Sequence, residues 1–297
     1  MSRIKISEIS SHFFKFHLIP ALLLIICSLM TTVHASTTHA NKTGISYQIK
    51  GKGFPLILIH AFPTDHRLWA PQIDVLQRHF RVITPDLYGF GQASQTNGEA
   101  VSMVEQARGI KKLMDQLHIR KAIIGGESMG GYIALAFLKQ YPDSVAGLIL
   151  SDTRTGEDSP EVKLKREAGA KDVLENGTEK VINDFMPKAL SPMASDETRS
   201  YLKNILIEQS STGIASALRG MALRENTSSV LSNTELPILI LTGDQDALIS
   251  PQESQNMHAL AKNSELIIIQ NAGHLSSLEQ PQQWNQAVIN MFSVKSE

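Results

Sequence analysis

Residues Lys121 to Phe137, KAIIGGESMGGYIALAF, read as a short apolar strand (Ala122 to Ile124), a turn, and a helix whose apolar face begins at Tyr132 and Ile133. The turn carries Ser128 in the frame Gly126-Glu127-Ser128-Met129-Gly130, a G-x-S-x-G. A serine at so sharp a strand-to-helix turn occupies a strained backbone conformation, and a side chain on either flanking glycine would collide with the neighbouring strand or helix. The helix start has a chemical consequence. The amide of Met129 points to the space above Ser128, where it can donate to an oxyanion with the positive end of the helix dipole behind it. Alone the pentapeptide says little. It gains meaning if the chain also supplies a base, an acid and a second oxyanion donor in a workable order.

The first residues read as a leader rather than as part of the fold. Arg3, Lys5 and Lys15 precede the apolar run Leu18 to Met30, and Val33-His34-Ala35 offers a small-residue cleavage site before Ser36. Residues 1–35 are therefore expected to be a signal peptide, giving a periplasmic or secreted protein without a stable membrane span after processing; an uncleaved anchor is the alternative. The single cysteine, Cys27, lies inside that run behind Ile26, which is too large for a lipid-attachment site. The mature chain would then have neither disulfide nor thiolate chemistry. The whole chain carries 28 Lys and Arg against 29 Asp and Glu. Loss of Arg3, Lys5, Lys15 and Glu8 with the leader leaves a mature charge of about −3. With no basic block, nucleic acid and acidic polymers are poor candidates as partners.

Beyond the leader, apolar strand runs alternate with helical patterns, which predicts an α/β fold with a mainly parallel sheet covered on both faces. The runs are Ile45 to Ile49, Pro55 to His60, Arg81 to Pro85, Ala122 to Ile124, Ala146 to Leu150, Pro237 to Thr242 and Glu265 to Gln270. Ser102 and Glu105 are spaced as a capping box at the start of a helix reaching Leu117. Between Asp152 and Leu236 the strand signal vanishes and helical patterns take over. Residues 153–235 thus read as a helical cap inserted into a core of 36–152 and 236–297.

A serine hydroxyl needs a base within hydrogen-bond reach and a carboxylate to orient that base. His274 suits the first role, because it follows the last strand in the small-residue loop Asn271-Ala272-Gly273-His274. His60 and His66 flank the loop after an early buried strand and could line a site, but they precede Ser128 in the chain. Asp152 and Asp246 each end a strand and compete for the acid. Asp246 is favoured because its loop immediately precedes the elements that deliver His274, whereas Asp152 opens the cap.

With these features in this order, the chain from about Gly44 onward resembles the α/β-hydrolase fold family. His60-Ala61-Phe62-Pro63, Pro85 through Gly91, Ser151 to Arg154, Arg219-Gly220-Met221 and Ala272-Gly273-His274 are similar to the 3-oxoadipate enol-lactonase and non-haem chloroperoxidase-like esterase group. The resemblance implies an eight-stranded, mostly parallel sheet, a helical cap, no cofactor or metal, a Ser128, Asp246, His274 triad, and an oxyanion hole from the backbone amides of Phe62 and Met129. That group usually has His-Gly where this chain has His60-Ala61, so the backbone there must keep to conformations open to alanine. Arg154 and Arg224 fit either a substrate carboxylate or salt bridges that hold the cap. The expected activity is hydrolysis of small carboxylic esters or lactones. Carbon-carbon hydrolysis, a lyase or perhydrolase reaction, and a non-catalytic binding protein on the same scaffold are the alternatives.

Overall fold

The computed structural model describes residues 44–293. The chain divides into two units, Met1–Ala35 and Ser36–Glu297. The expected leader lies outside the described residues, and the architecture below belongs to the second unit.

The sheet is built from β1 (Tyr47–Lys50), β2 (Phe54–Ile59), β3 (Phe80–Pro85), β4 (Ala122–Glu127), β5 (Val145–Ser151), β6 (Ile238–Gly243) and β7 (Ser264–Ile269). Their spatial order is β1-β3-β2-β4-β5-β6-β7, with every neighbouring pair parallel except β1 against β3. The central strands are near-continuous apolar runs because both faces are covered, with polar residues at their carboxyl ends (Glu127, Ser151, Thr242). In β2, Ile57 and Ile59 face one core while Leu56 and Leu58 face the other, and β6 alternates likewise through Ile238 and Ile240 against Leu239 and Leu241. Among the described residues the sheet has seven strands, one fewer than the resemblance implies. Just before β1, Asp86 N donates to Ser46 O in continuation of the β1–β3 register and Ser94 N donates to Gly44 O in the loop beyond, so these residues extend an existing pairing and add no strand of their own.

Helices α1 (Ala70–Leu76), α2 (Met103–Gln116), α3 (Met129–Gln140), α9 (Pro251–Leu260) and α11 (Pro281–Phe292) cover the sheet, and α10 (Ser276–Glu279) is a single turn. The capping box on α2 forms, with Ser102 Oγ accepting from Glu105 N and Glu105 Oε2 accepting from Ser102 N. Helix α3 is apolar round its whole circumference, buried from Met129 to Leu138, as befits a helix enclosed behind the sheet centre.

The segment expected as a cap, residues 153–235, holds α4 (Pro160–Asn176), α5 (Glu179–Ala189), α6 (Asp196–Leu206), α7 (Ser211–Ala222) and α8 (Ser228–Ser232). Its apolar faces continue both cores. Ile214, Ala215 and Met221 of α7 join one side, and Ile182, Phe185, Leu202 and Leu206 of α5 and α6 join the other. Polar ties add to this, with Tyr201 Oη donating to Arg67 O at 2.8 Å and Gln209 Nε2 to Asp65 Oδ2 at 2.8 Å.

Candidate active site

The site forms where β4 gives way to α3. Ser128 sits there at φ 54° and ψ −114°, far from the region an L-residue favours. Packing enforces this conformation. A methyl group on Gly126 would lie 2.1 Å from the carbonyl of Gly130, and one on Gly130 would lie 2.1 Å from Ile59 O. Strand and helix therefore approach as closely as two backbones can, and only glycine serves at both frame positions. Ser128 N donates to Ser151 O at 2.9 Å, and Thr153 Oγ1 donates to Ser128 O at 2.8 Å, fixing the elbow against the end of β5.

Two further loops at the same edge of the sheet bring their side chains to Ser128. His274 Nε2 lies 2.8 Å from Ser128 Oγ, and its Nδ1 lies 2.8 Å from Asp246 Oδ2. A carboxylate accepts only, so Nδ1 carries the proton donated to Asp246 and Nε2 accepts from the serine hydroxyl. Asp246 Oδ1 in turn accepts from Leu248 N and Ile249 N, both at 2.8 Å, which fixes the carboxylate's rotamer. Burial works against charge on His274, but the charge and hydrogen bond of Asp246, with Asp152 beyond, outweigh it and raise its pKa above the ordinary 6.5.

The amides of Phe62 and Met129 both lack a protein acceptor among the described residues. For Met129 this follows from its place as the first residue of α3, where intrahelical partners do not exist. Phe62 is presented by the turn Ala61–Thr64, closed by Thr64 N and Thr64 Oγ1 on Ala61 O at 3.0 and 2.8 Å. Ala61 is fully buried and is not among the positive-φ residues, so alanine meets the conformation that its place requires.

The other sequence candidates are placed differently. His60 gives both ring nitrogens to the scaffold, with Nδ1 at 2.9 Å from Ala61 O and Nε2 accepting from Leu87 N at 3.1 Å. Burial lowers its pKa, so it is a neutral brace for two loops. His66 Nδ1 bonds Asp86 Oδ1 at 2.6 Å; burial opposes its charge, yet Asp86 raises its pKa overall. Asp65, His66 and Asp86 stand close enough to share a metal ion, but Arg67 already supplies a cation to Asp65 at 2.7 Å. Arg154 and Arg224 both bind the buried carboxylate of Asp158, at 3.1 and 2.7 Å.

Asp152 is buried near Asp246 and His274 without bonding the histidine. Its Oδ1 accepts from Gly243 N at 2.8 Å, and its Oδ2 accepts from Ser151 Oγ at 2.8 Å and Ser276 Oγ at 2.5 Å. Glu127, the second residue of the G-x-S-x-G frame, is equally buried and accepts from Ser277 N at 3.2 Å and Ser277 Oγ at 2.7 Å. Burial, and then the charge of Asp246, push the Asp152 carboxyl up to about 7; burial and the charge of Asp152 push Glu127 well up too. These two acids grip Ser276 and Ser277, the turn that follows His274. The sequence signal for Glu127 was present, because a carboxylate ending an apolar strand must find donors. Its partners, 150 residues away, were not readable.

The cap also grips the histidine loop. Glu279 accepts from Gly273 N at 2.6 Å and from Ser191 N at 3.0 Å, while Leu275 N donates to Ala189 O at 2.9 Å. A side chain on Gly273 would lie 2.5 Å from Ser191 N, so the residues on either side of His274 rest directly on the segment after α5.

A family model described as the alpha/beta hydrolase fold matches residues 55–281. The chain belongs to that family. It is 34% identical to a thermophilic esterase from Thermogutta terrifontis, with a TM-score of 0.81 over 86% of this chain and 96% of that one. It is 29% identical to the AB hydrolase superfamily protein YisY of Bacillus subtilis, over 82% of this chain and 92% of the relative. It is also 26% identical to 3-oxoadipate enol-lactonase 1 of Acinetobacter baylyi, over 86% and 96% of the two chains.

Proposed function

We propose that this protein is an exported serine hydrolase that cleaves small carboxylic esters or lactones through an acyl-enzyme. The observation that carries the reading is the unbroken chain from Ser128 Oγ through the His274 ring to Asp246 Oδ2, both hydrogen bonds 2.8 Å, together with the two unspent amides of Phe62 and Met129. Relatives described as an esterase and an enol-lactonase support the substrate class. Ser128 Oγ attacks the acyl carbon while His274 Nε2 takes the hydroxyl proton. Phe62 N and Met129 N donate to the oxyanion that develops, and Asp246 stabilises the imidazolium. The imidazolium passes the proton to the departing oxygen, which leaves an acyl-Ser128. Water then attacks that ester with His274 again as base, releasing the acid and restoring Ser128.

Hydrolysis of a panel of esters and lactones of increasing acyl length by the purified protein tests the reading; absence of turnover on all of them would favour a binding role. The same assay gives a pH prediction. The attacking state needs neutral His274, and its pKa is raised, so kcat/KM should fall as pH drops through a point above 6.5. An acid limb below that value would contradict the Asp246–His274 coupling.

Export rests on the basic start, the short apolar run and Val33-His34-Ala35. Among the described residues no helix is long and apolar enough to cross a membrane. Intact mass of the protein recovered from its producing cell should correspond to a chain beginning at Ser36. Recovery of the full-length chain in the membrane fraction would replace export with anchoring.

A further inference from the structure

Where the cap joins the core, a cavity of about 370 Å³ lies between the start of α2, one flank of α3, and the two connections at 153–155 and 223–227. Arg154 and Arg224 line it, and both belong to a cluster in which three guanidiniums share one carboxylate. Asp158 Oδ1 accepts from Arg154 Nη2 at 3.1 Å and from Arg224 Nη2 at 2.7 Å, and Oδ2 accepts from Arg166 Nε at 2.5 Å. The Asp158 side chain is fully buried, and those of Arg166 and Arg224 are only 17% and 5% exposed. Three cations against one anion leave the cluster with an excess of positive charge that an anion would complete, and Arg154, with 28% of its side chain exposed, is the most accessible of the three. The other charged pair on the wall, Lys139 with Glu225 at 2.7 Å, is neutral in sum and largely exposed.

The donors are unequally spent. Arg224 lies with its guanidinium 4.2 Å over the ring of Tyr132 and gives its remaining N–H groups to Gly156 O and Met221 O. Arg154 gives Nη2 to Asp158, and its Nη1 has no protein acceptor among the described residues; its Nε also lacks a partner but is enclosed by protein, so Nη1 is the donor that a ligand can reach. The rest of the wall is mainly apolar, from Met103, Val104, Ala136 and Leu223, with Leu223 63% exposed at the rim, and Ser102, Gln140, Thr155 and Thr227 add neutral polar groups. A cationic donor with an unspent N–H at one side of such a cavity matches an acceptor-only anion with a short hydrocarbon body.

We propose that this cavity is a binding site for a small organic carboxylate, held at Arg154 and distinct from the space above Ser128. That the occupant is the acid released by the enzyme rests on the ester-hydrolase reading; the carboxylate site itself does not. Such a site, bridging both cap connections, would let accumulated acid tie the cap to the core.

The test titrates butanoate and hexanoate, at constant ionic strength, into protein whose Ser128 carries a small phosphonate, reading thermal shift and ligand NMR. Butanamide is the uncharged control. The carboxylates should raise the melting temperature and saturate, the amide should do neither, and Arg154→Met should weaken carboxylate binding at least tenfold. Leu223→Glu changes only the exposed rim, so it provides a variant that folds independently of the arginine cluster. It should weaken the carboxylates and leave the amide unaffected. Equal behaviour of acid and amide, unchanged affinity in both variants, or loss of binding once Ser128 is blocked would each overturn the proposal. A protein that refuses the phosphonate refutes the nucleophile reading instead, and the same titration on the unblocked chain then decides the carboxylate site.

Discussion

Ser128→Ala is expected to abolish covalent labelling by a fluorophosphonate and to lower kcat by about 10⁴ or more, with the fold intact by circular dichroism. A factor of 10⁴ corresponds to about 5.5 kcal/mol of lost transition-state stabilisation. The magnitude follows from what remains. Without the hydroxyl no acyl-enzyme forms, and only the amides of Phe62 and Met129 and the binding of substrate still favour reaction with water. The fold should survive because Ser128 is fixed through its backbone, by Ser128 N on Ser151 O and by Thr153 on Ser128 O, and alanine keeps both bonds. Alanine also relieves no strain, since the φ of 54° is imposed by the approach of Gly126 to Gly130. Labelling should be stoichiometric in the wild type and map to the peptide that contains Ser128. Undiminished ester turnover by the alanine variant would remove the nucleophile from this reading.

Much of the architecture was legible because the determinants are local and repetitive. Strands covered on both faces must be apolar throughout, so β2, β4, β5 and β6 stood out as continuous runs. The capping box at Ser102 and the frame glycines marked element starts within a residue or two. Chain order alone brought Ser128 and His274 together, since parallel strands deliver the loops after their carboxyl ends to one edge. What pattern could not convey was contact between distant segments. The buried acids Glu127 and Asp152 find their donors in Ser276 and Ser277, and Glu279 joins Gly273 to Ser191, links that depend on where side chains end rather than on their period. The same limit applied to Arg154 and Arg224, whose common partner Asp158 has no periodic signature. The eighth strand was an inference from likeness, and among the described residues the sheet has seven.

The choice between the two aspartates shows what geometry adds. Asp152 and Asp246 close adjacent parallel strands, their loops are neighbours, and either satisfies the order serine, acid, histidine. Only Asp246 reaches Nδ1 of His274, and its other oxygen is fixed by Leu248 N and Ile249 N. Asp246→Asn turns an acceptor into a group that can present N–H to Nδ1, favouring the tautomer with its proton on Nε2, where it blocks the serine. It also removes the charge that stabilises the imidazolium. Loss of roughly 10³ to 10⁴ in kcat is expected, with KM changed far less. Asp152→Asn should cost less than about tenfold by the same reasoning. Burial and the charge of Asp246 push the Asp152 carboxyl up to about 7, so it holds its charge less firmly than an ordinary aspartate, and asparagine can still accept from Gly243 N. Its larger consequence should be in stability, because an amide in place of the carboxylate disturbs the hydroxyls of Ser151 and Ser276. Steady-state kinetics and thermal unfolding of the two variants, measured side by side, separate the roles. A deep loss of kcat in Asp152→Asn with a mild one in Asp246→Asn would assign the orienting acid to the end of β5 and reverse the assignment made from the 2.8 Å contact.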